Sequence, residues 1–200
     1  MGQGEPQFQD KYRNYATRVR KPDPTQAALL VIDMQEFFRD ISKAIIPTLQ
    51  TVIRSARKAG IPIVYTQHSH KRPEEDGMLG EWWDGKLIGY GTHEAELIPE
   101  VEITKDDKLV SKHVYSAFVN TDLESHLRQI GRSEVIITGV MTNLCCETAA
   151  RDAFCRGFRV FFSTDATATS AEEYHESTLR NLGYGFAYLV NADDLKFGAG

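Results

Sequence analysis

The chain has 200 residues, and its 28 acidic residues outnumber its 23 lysines and arginines. This length fits one domain with a substantial core, and the mildly acidic balance gives no reason to expect nucleic acid or an anionic membrane as a partner. No apolar run approaches the roughly 20 residues that cross a bilayer, and three cysteines crowded into one segment favour a reducing, cytoplasmic compartment over a disulfide framework.

Strand and helix patterns alternate along the chain after an N-terminal arm. Residues 1–25 are charged, lack clear periodicity and contain no apolar secretory segment, so we interpret them as an arm before a single domain, residues 26–200. Apolar runs predict strands at 27–33, 61–67, 107–113, 134–139, 158–164 and 185–190. Helical spacing predicts helices at 47–60, 121–131, 144–157 and 171–183, and an irregular excursion covers 69–98. This alternation predicts a Rossmann-like, three-layer α/β/α sandwich around a six-stranded, mainly parallel sheet.

The ends of the first four strands carry reactive side chains, which are Asp33, His68, Lys112 and the turn 139–145. Ligands of parallel sheets bind at this carboxyl edge. Asp33 could accept a proton from a thiol, although an Asp at a strand end is also a common helix N-cap. Lys112 could keep that carboxylate ionised, although a lone lysine is more often a solvated surface residue.

Two adjacent cysteines, Cys145 and Cys146, open the helix predicted at 144–157. Unpaired amides and the helix dipole at this point favour a thiolate. Successive helical residues point about 100° apart, so only one of the two can face the cleft, and the spacing does not choose between them. Either could instead be an inert buried thiol, and Cys155, at the far end of the helix, is interpreted as structural.

His68 and His70 have a spacing that permits metal binding, because residues two apart share a face of a strand. No third ligand follows in a convincing pattern, so we expect no metal and no cofactor. Trp82 and Trp83 suit a lid over a small ligand, although loop packing explains them equally well. The nearest cations for a substrate carboxylate are His113 and Arg151. The full set of candidate pocket residues is Gln35, Phe37, His68, Trp82, Trp83, Tyr115 and Phe118.

The segments containing Asp33 (DMQ), Lys112 (SKHVYSAF) and Cys145 (TGVMTNLCCETAARDAF) together resemble the isochorismatase-like cysteine hydrolases. The resemblance covers residues 27–190, and it implies an Asp–Lys–Cys triad that hydrolyses small amides or ureido compounds through a thioester. The family pattern G-V-x-T-x-x-C ends on Cys145, which implies that this residue is the nucleophile. The resemblance further implies a cis peptide before Met141 and an oxyanion hole formed by the backbone N–H groups of Met141 and Cys145.

The resemblance also bears on substrate and assembly. Members that cleave a vinyl ether lack the nucleophilic cysteine, so Cys145 argues against that reaction. Nicotinamidases place an Asp and histidines after the second strand to hold a metal, and Thr66 stands where we expect the Asp. We therefore expect a metal-independent amidase for a small-molecule amide, with a nicotinamidase or a catalytically silent ligand-binding relative as alternatives. The family also implies a homo-oligomer, a dimer or a tetramer.

Overall fold

A computed structural model describes residues 11–72 and 77–198. Six strands form one sheet in the order β3-β2-β1-β4-β5-β6. Their bounds are β1 Ala27–Ile32, β2 Ile63–His68, β3 Lys108–Lys112, β4 Glu134–Val140, β5 Arg159–Ala168 and β6 Tyr188–Val190. Every pairing is parallel, so the predicted fold class is confirmed, and the sheet is wholly rather than mainly parallel. The order of the strands reverses between β1 and β4: β2 and β3 lie on one side of this point, and β5 and β6 lie on the other. Ligands bind at such a point in folds of this kind.

Helices cover both faces of the sheet. Their bounds are α1 Arg39–Ser42, α2 Ile46–Lys58, α3 Gly77–Trp82, α4 Leu123–Gln129, α5 Glu147–Cys155 and α6 Glu172–Gly185, with 3₁₀ turns at Arg13–Tyr15, Glu36–Phe38, His93–Ala95 and Pro99–Val101. Leu49, Val52, Ile53 and Ala56 give α2 one apolar stripe, which packs on one face of the sheet. Helices α4, α5 and α6 pack on the other face. Each large aliphatic side chain buried in these layers contributes about 1.5–3 kcal/mol.

Strand β5 and the C-terminal elements differ from the predicted bounds. We expected β5 to end at residue 164, but it runs to Ala168 across a shift in its register with β4. Hydroxyl groups satisfy the backbone there, because Ser163 Oγ accepts the Ala166 N–H and Thr167 Oγ1 donates to the Ser163 carbonyl. Helix α6 continues to Gly185, so β6 begins at Tyr188 rather than at residue 185.

Strands β1 and β4 approach each other unusually closely at the edge that carries the reactive residues. Gly139 pairs with Ile32 and has φ +106°. A Cβ atom on Gly139 would lie 2.1 Å from the Ile32 carbonyl oxygen. Glycine is therefore required here, both for its backbone conformation and for the space.

The described part of the N-terminal arm packs on the domain. Tyr12 lies in the core, Thr17 Oγ1 donates to the Gly183 carbonyl, and the Asp23 N–H donates to Glu134 Oε2. Residues 1–10 lie outside the described residues, so the division into an arm and a domain stays a prediction. In the part of the chain that the structure describes, no helix combines the length and the apolar character needed to cross a bilayer.

Candidate active site

Asp33, Lys112 and Cys145 meet at the carboxyl edge of the sheet. Asp33 follows β1 directly, Lys112 ends β3, and Cys145 lies in the turn after β4. Lys112 Nζ lies 2.7 Å from Asp33 Oδ2 and 3.4 Å from Cys145 Sγ. All three residues are buried. The structure thus brings together the three residues proposed as catalytic, with the ammonium in contact with both the carboxylate and the thiol.

Two further acceptors surround the Lys112 ammonium. His68 Nδ1 and the Val114 carbonyl oxygen each lie 3.1 Å from Nζ. The ammonium has only donors, so His68 Nδ1 accepts, and the ring proton of neutral His68 sits on Nε2. That atom faces His70 Nε2 at 3.0 Å. Burial, reinforced by the Lys112 charge, lowers the pKa of His68 to about 3, so this ring is neutral.

The Asp33–Lys112 pair is ionised. Burial alone would raise the pKa of the Asp33 carboxyl, but the positive charge of Lys112 and hydrogen bonds from Lys112 and Thr66 more than offset it, and the pKa lies below its ordinary value. Burial likewise opposes the charge of Lys112, yet Asp33 raises its pKa above the ordinary value. Asp33 is therefore an available proton acceptor at neutral pH.

The Cys145 thiol is neutral in the resting site, which corrects the expectation of a thiolate at the start of a helix. Burial raises the pKa of Cys145 to about 12, and Lys112 lowers it only in part. The negative charge of the nearby Asp33 carboxylate also favours the protonated form and raises the pKa of Cys145. A local argument from the helix terminus missed this result, because burial is a property of the folded protein. The thiol must therefore lose its proton before the sulfur can react as a thiolate.

The turn that carries Cys145 is a π-helical turn, Thr142–Cys146, rather than the first turn of a regular α-helix. It follows a cis peptide between Val140 and Met141, as the resemblance implied. The Met141 carbonyl accepts the N–H groups of Leu144 at 3.1 Å and Cys146 at 3.2 Å. That the amides of Met141 and Cys145 form an oxyanion hole stays a prediction.

Cys146 and Cys155 do not contact the Asp33–Lys112 pair through any hydrogen bond of the described structure. The Cys146 thiol is buried and lies 3.9 Å from the Thr138 carbonyl oxygen. Burial raises the pKa of Cys146 well above its ordinary value. Cys155 is exposed at the end of α5.

His175 supports the turn and was missed by sequence reasoning. Its Nε2 lies 3.1 Å from the Thr164 carbonyl oxygen and so donates to it, which leaves Nδ1 to accept from Thr142 Oγ1 at 2.9 Å. A single histidine in an amphipathic helix has no signal in the sequence that distinguishes it from other core residues.

The proposed pocket residues have different surroundings. Gln35 binds main-chain groups with both ends of its amide: Nε2 donates to the His68 and Ala95 carbonyls, and Oε1 accepts the His68 N–H. Trp83 Nε1 donates to Tyr115 Oη at 3.0 Å and so joins the excursion to the segment after β3.

The remaining candidate residues lie in several different surroundings. Trp82 is 73% exposed, and Phe37 is exposed beside Phe38. Phe118 packs in the core against Phe158, and Arg151 binds Glu147. His113 directly follows β3. The pocket roles of all these side chains stay predictions.

A parallel α/β sheet whose carboxyl edge holds a buried lysine in contact with both an aspartate and a cysteine defines, by class, a cysteine hydrolase. The comparison with known families agrees: the profile of the isochorismatase domain matches residues 27–194. The chain belongs to the isochorismatase family, and the predicted resemblance is confirmed.

Three relatives illustrate the similarity. Nicotinamidase 3 of Arabidopsis thaliana is 54% identical over 92% of this chain and 94% of its own. A cysteine hydrolase from Pseudomonas syringae pv. phaseolicola 1448A is 26% identical with a TM-score of 0.84, covering 88% of this chain and 94% of that one. The pyrazinamidase of Pyrococcus horikoshii, solved in complex with zinc, is 29% identical with a TM-score of 0.74. The match covers 83% of this chain and 99% of the pyrazinamidase chain.

The zinc in that pyrazinamidase raises the question of whether these residues fit a metal. Among the described residues, one group of three potential ligands lies within 4.8 Å, namely Asp33, His68 and Cys145. The Lys112 ammonium contacts all three and repels a cation there. His68 and His70 face each other through Nε2, but no third ligand among the described residues joins them. The acidic residues Glu74, Glu75 and Asp76 lie outside the described residues. The described donor set does not fit a metal.

Proposed function

We propose that this chain is a metal-independent cysteine hydrolase that cleaves the C–N bond of a small amide or ureido substrate through a thioester on Cys145. The observation that carries the proposal is the position of Lys112 Nζ, in contact with both Asp33 Oδ2 and Cys145 Sγ in a buried site. Carboxylate, ammonium and thiol are the groups needed to move a proton, hold the base ionised and attack a carbonyl carbon.

The reaction begins when Asp33 takes the proton of the Cys145 thiol. The thiolate attacks the amide carbon, and the backbone N–H groups of Met141 and Cys145 stabilise the oxyanion; one such donor is worth about 3–4 kcal/mol of the barrier. Asp33 then gives its proton to the departing ammonia or amine, and the thioester remains. A water molecule that loses its proton to Asp33 hydrolyses the thioester, and the free thiol returns. Asp33 returns this last proton to the departing Cys145 sulfur, and Lys112 keeps Asp33 ionised in the resting site between turnovers.

Nicotinamide is the substrate that the similarity favours for a first test. The supporting observation is the 54% identity to Nicotinamidase 3 over nearly the whole of both chains. A ureido compound, which the family resemblance also implies, is the other candidate. The two candidates share the same bond chemistry and differ in the group that the pocket must accept.

Ammonia release tests the proposal directly. Wild type, Cys145→Ala and Cys146→Ala are assayed with nicotinamide, ureidoacrylate and other small amides, with and without a chelator. We expect chelator-resistant turnover that Cys145→Ala abolishes and Cys146→Ala retains. Turnover that survives in Cys145→Ala would refute the thioester. Complete absence of turnover, together with slow alkylation of Cys145, would favour the catalytically silent ligand-binding alternative.

We further propose a homo-oligomer in the cytoplasm, with no nucleic acid or membrane as a partner. None of the six residues of α3 is buried, and Met78 and Trp82 expose large apolar surfaces on it, which supports a contact with a second copy near the excursion. The cysteines are free thiols, which fits a reducing compartment. Sedimentation of the purified protein measures its oligomeric state, and a monomer at micromolar concentration would refute the first part.

A further inference from the structure

We infer that Thr66 is a positioning residue for the reaction: its hydroxyl orients the Asp33 carboxylate and keeps it ionised, so that Asp33 can accept the Cys145 proton. This inference rests on the proposed function, because it assigns a task to a residue next to the proposed base. Sequence reasoning considered Thr66 only as a departure from a metal site.

Thr66 and Asp33 exchange two hydrogen bonds in the buried interior. The Thr66 hydroxyl donates to Asp33 Oδ1 at 2.6 Å, and its oxygen accepts the Asp33 N–H at 3.1 Å. Neither residue has exposed surface. Asp33 directly follows the last residue of β1 and has φ +48°. Thr66 on the neighbouring strand satisfies its N–H.

The two carboxylate oxygens of Asp33 have different partners. Oδ1 accepts from Thr66, and Oδ2 lies 2.7 Å from Lys112 Nζ. With one oxygen held on each side, the carboxylate cannot rotate freely about its Cβ–Cγ bond. The thiol of Cys145 therefore meets a base of fixed orientation, which is the condition for efficient proton transfer.

The hydroxyl also affects the charge of Asp33. The titratable groups that face Asp33 are Lys112 from β3, His68 from β2, and Cys145 and Cys146 from the turn after β4. Of these, Lys112 alone is charged in the resting site, and burial opposes it. A hydrogen bond donated to the ionised carboxylate adds to the effect of Lys112. Loss of the hydroxyl should therefore make Asp33 easier to protonate.

Three variants test this inference. Thr66→Val removes the hydroxyl with little change in shape, and Thr66→Ser keeps it. Thr138→Val is the matched control, because Thr138 is equally buried on β4 and its hydroxyl donates to the Leu30 carbonyl rather than to a carboxylate. The rate of Cys145 alkylation by iodoacetamide is measured against pH by peptide mass spectrometry, with circular dichroism at each pH to establish that the protein is folded. Ammonia release is measured over the same range.

We expect the acid limb of the pH–rate profile of Thr66→Val to move up by about one pH unit in both assays. The profiles of Thr66→Ser and Thr138→Val should follow that of the wild type. A Thr66→Val limb that coincides with the wild type would overturn the inference. So would an equal shift in Thr138→Val, or a Thr66→Ser variant that behaves like Thr66→Val. Alkylation needs no substrate, so a shifted alkylation limb without any amide turnover would support the role of Thr66 and refute the proposed function separately.

Discussion

The sheet holds a fully buried carboxylate at each end of its central strand pair. At the carboxyl end, Asp33 pairs with Lys112, whose side chain has no exposed surface. At the amino end, Glu134 opens β4 and pairs with Arg159, whose side chain is 39% exposed. Glu134 also accepts the Asp23 N–H, which ties the end of the arm to the sheet. Both carboxylates are buried, but only the partner of Asp33 is sealed from solvent.

The exposure of the cation distinguishes the Asp33–Lys112 pair, which we assign to the reaction, from the Glu134–Arg159 pair, which we assign to the fold. A partner that reaches solvent, such as Arg159, keeps much of its hydration, so the carboxylate is the one fully desolvated member of the pair at Glu134. Desolvating both members of the Asp33–Lys112 pair costs several kcal/mol per ion, which their attraction only roughly repays. The sealed pair contributes little net stability, and its contact with Cys145 gives it a chemical use.

The largest expected effect concerns the Cys145 thiol, which lies in contact with Lys112 of the sealed pair. Cys145→Ala should lower turnover by at least about 10⁴-fold, because removing a nucleophile eliminates the covalent route. Ammonia release measures it, and Cys146→Ala is the control for the loss of a buried thiol. Equal losses in the two variants would show that packing, and not the nucleophile, explains the effect.

Removing the cation from each pair should separate their contributions to stability. Lys112→Met leaves an uncompensated buried carboxylate and should lower the free energy of unfolding by about 3–5 kcal/mol. Arg159→Met should cost less, because Arg20 still lies 3.7 Å from the Glu134 carboxylate and the Asp23 N–H still donates to it.

Urea denaturation measures both values, and turnover should vanish only in Lys112→Met. The double variant Asp33→Asn/Lys112→Met should recover much of the lost stability without recovering turnover. Similar costs for the two single variants would contradict the distinction between a sealed pair and a solvated one.

The pH range of the sealed pair follows from the two shifted pKa values. The pKa of Asp33 lies below its ordinary value of 3.8, so its contribution is present above about pH 4 and is lost as the pH falls through the lowered pKa. The pKa of Lys112 lies above its ordinary value of 10.5, so its contribution is present below that pH and is lost as the pH rises through the raised pKa.

The difference in unfolding free energy between wild type and Asp33→Asn/Lys112→Met should therefore be flat from about pH 7 to pH 9. Denaturation at a series of pH values measures it. Below about pH 6.5 the unfolded chain protonates His68 while the buried ring beside Lys112 stays neutral, so the difference should fall there when the variant, without the Lys112 charge, protonates His68 more easily. A step between pH 7 and pH 9 would contradict the two pKa directions.

The smallest expected effect is that of metal removal. Because the Lys112 ammonium contacts each member of the Asp33–His68–Cys145 group, dialysis against a chelator should leave turnover and thermal stability unchanged. Added Zn²⁺ should not increase either. Loss of turnover on chelation, restored by Zn²⁺, would show that His68 and His70 hold an ion with a further ligand.

Sequence reasoning reached the fold class and the three central residues for a simple physical reason. Parallel strands read as apolar runs, and their carboxyl ends lie at one edge of the sheet. Residues that follow those runs can therefore be predicted to be neighbours without any measured distance. Asp33, Lys112 and Cys145 are such residues. The order of the three motifs along the chain then indicated the isochorismatase-like cysteine hydrolases.

The contacts between strands were beyond sequence reasoning. His68 pairs with Lys112 in the register of β2 and β3, and Thr66 meets Asp33 across β1 and β2. Register depends on packing over whole strands, which no short motif specifies. The raised pKa of Cys145 was missed for a related reason, since the elements that bury the thiol come from distant parts of the chain.

The close approach of β1 and β4 has a genetic consequence. Every residue other than glycine at position 139 would place a Cβ atom against the Ile32 backbone, one residue before Asp33. Any missense change at this codon would displace the proposed base without altering a reactive side chain. In a library of all single substitutions selected for activity, position 139 should thus retain glycine alone, and inherited variants there would behave as nulls.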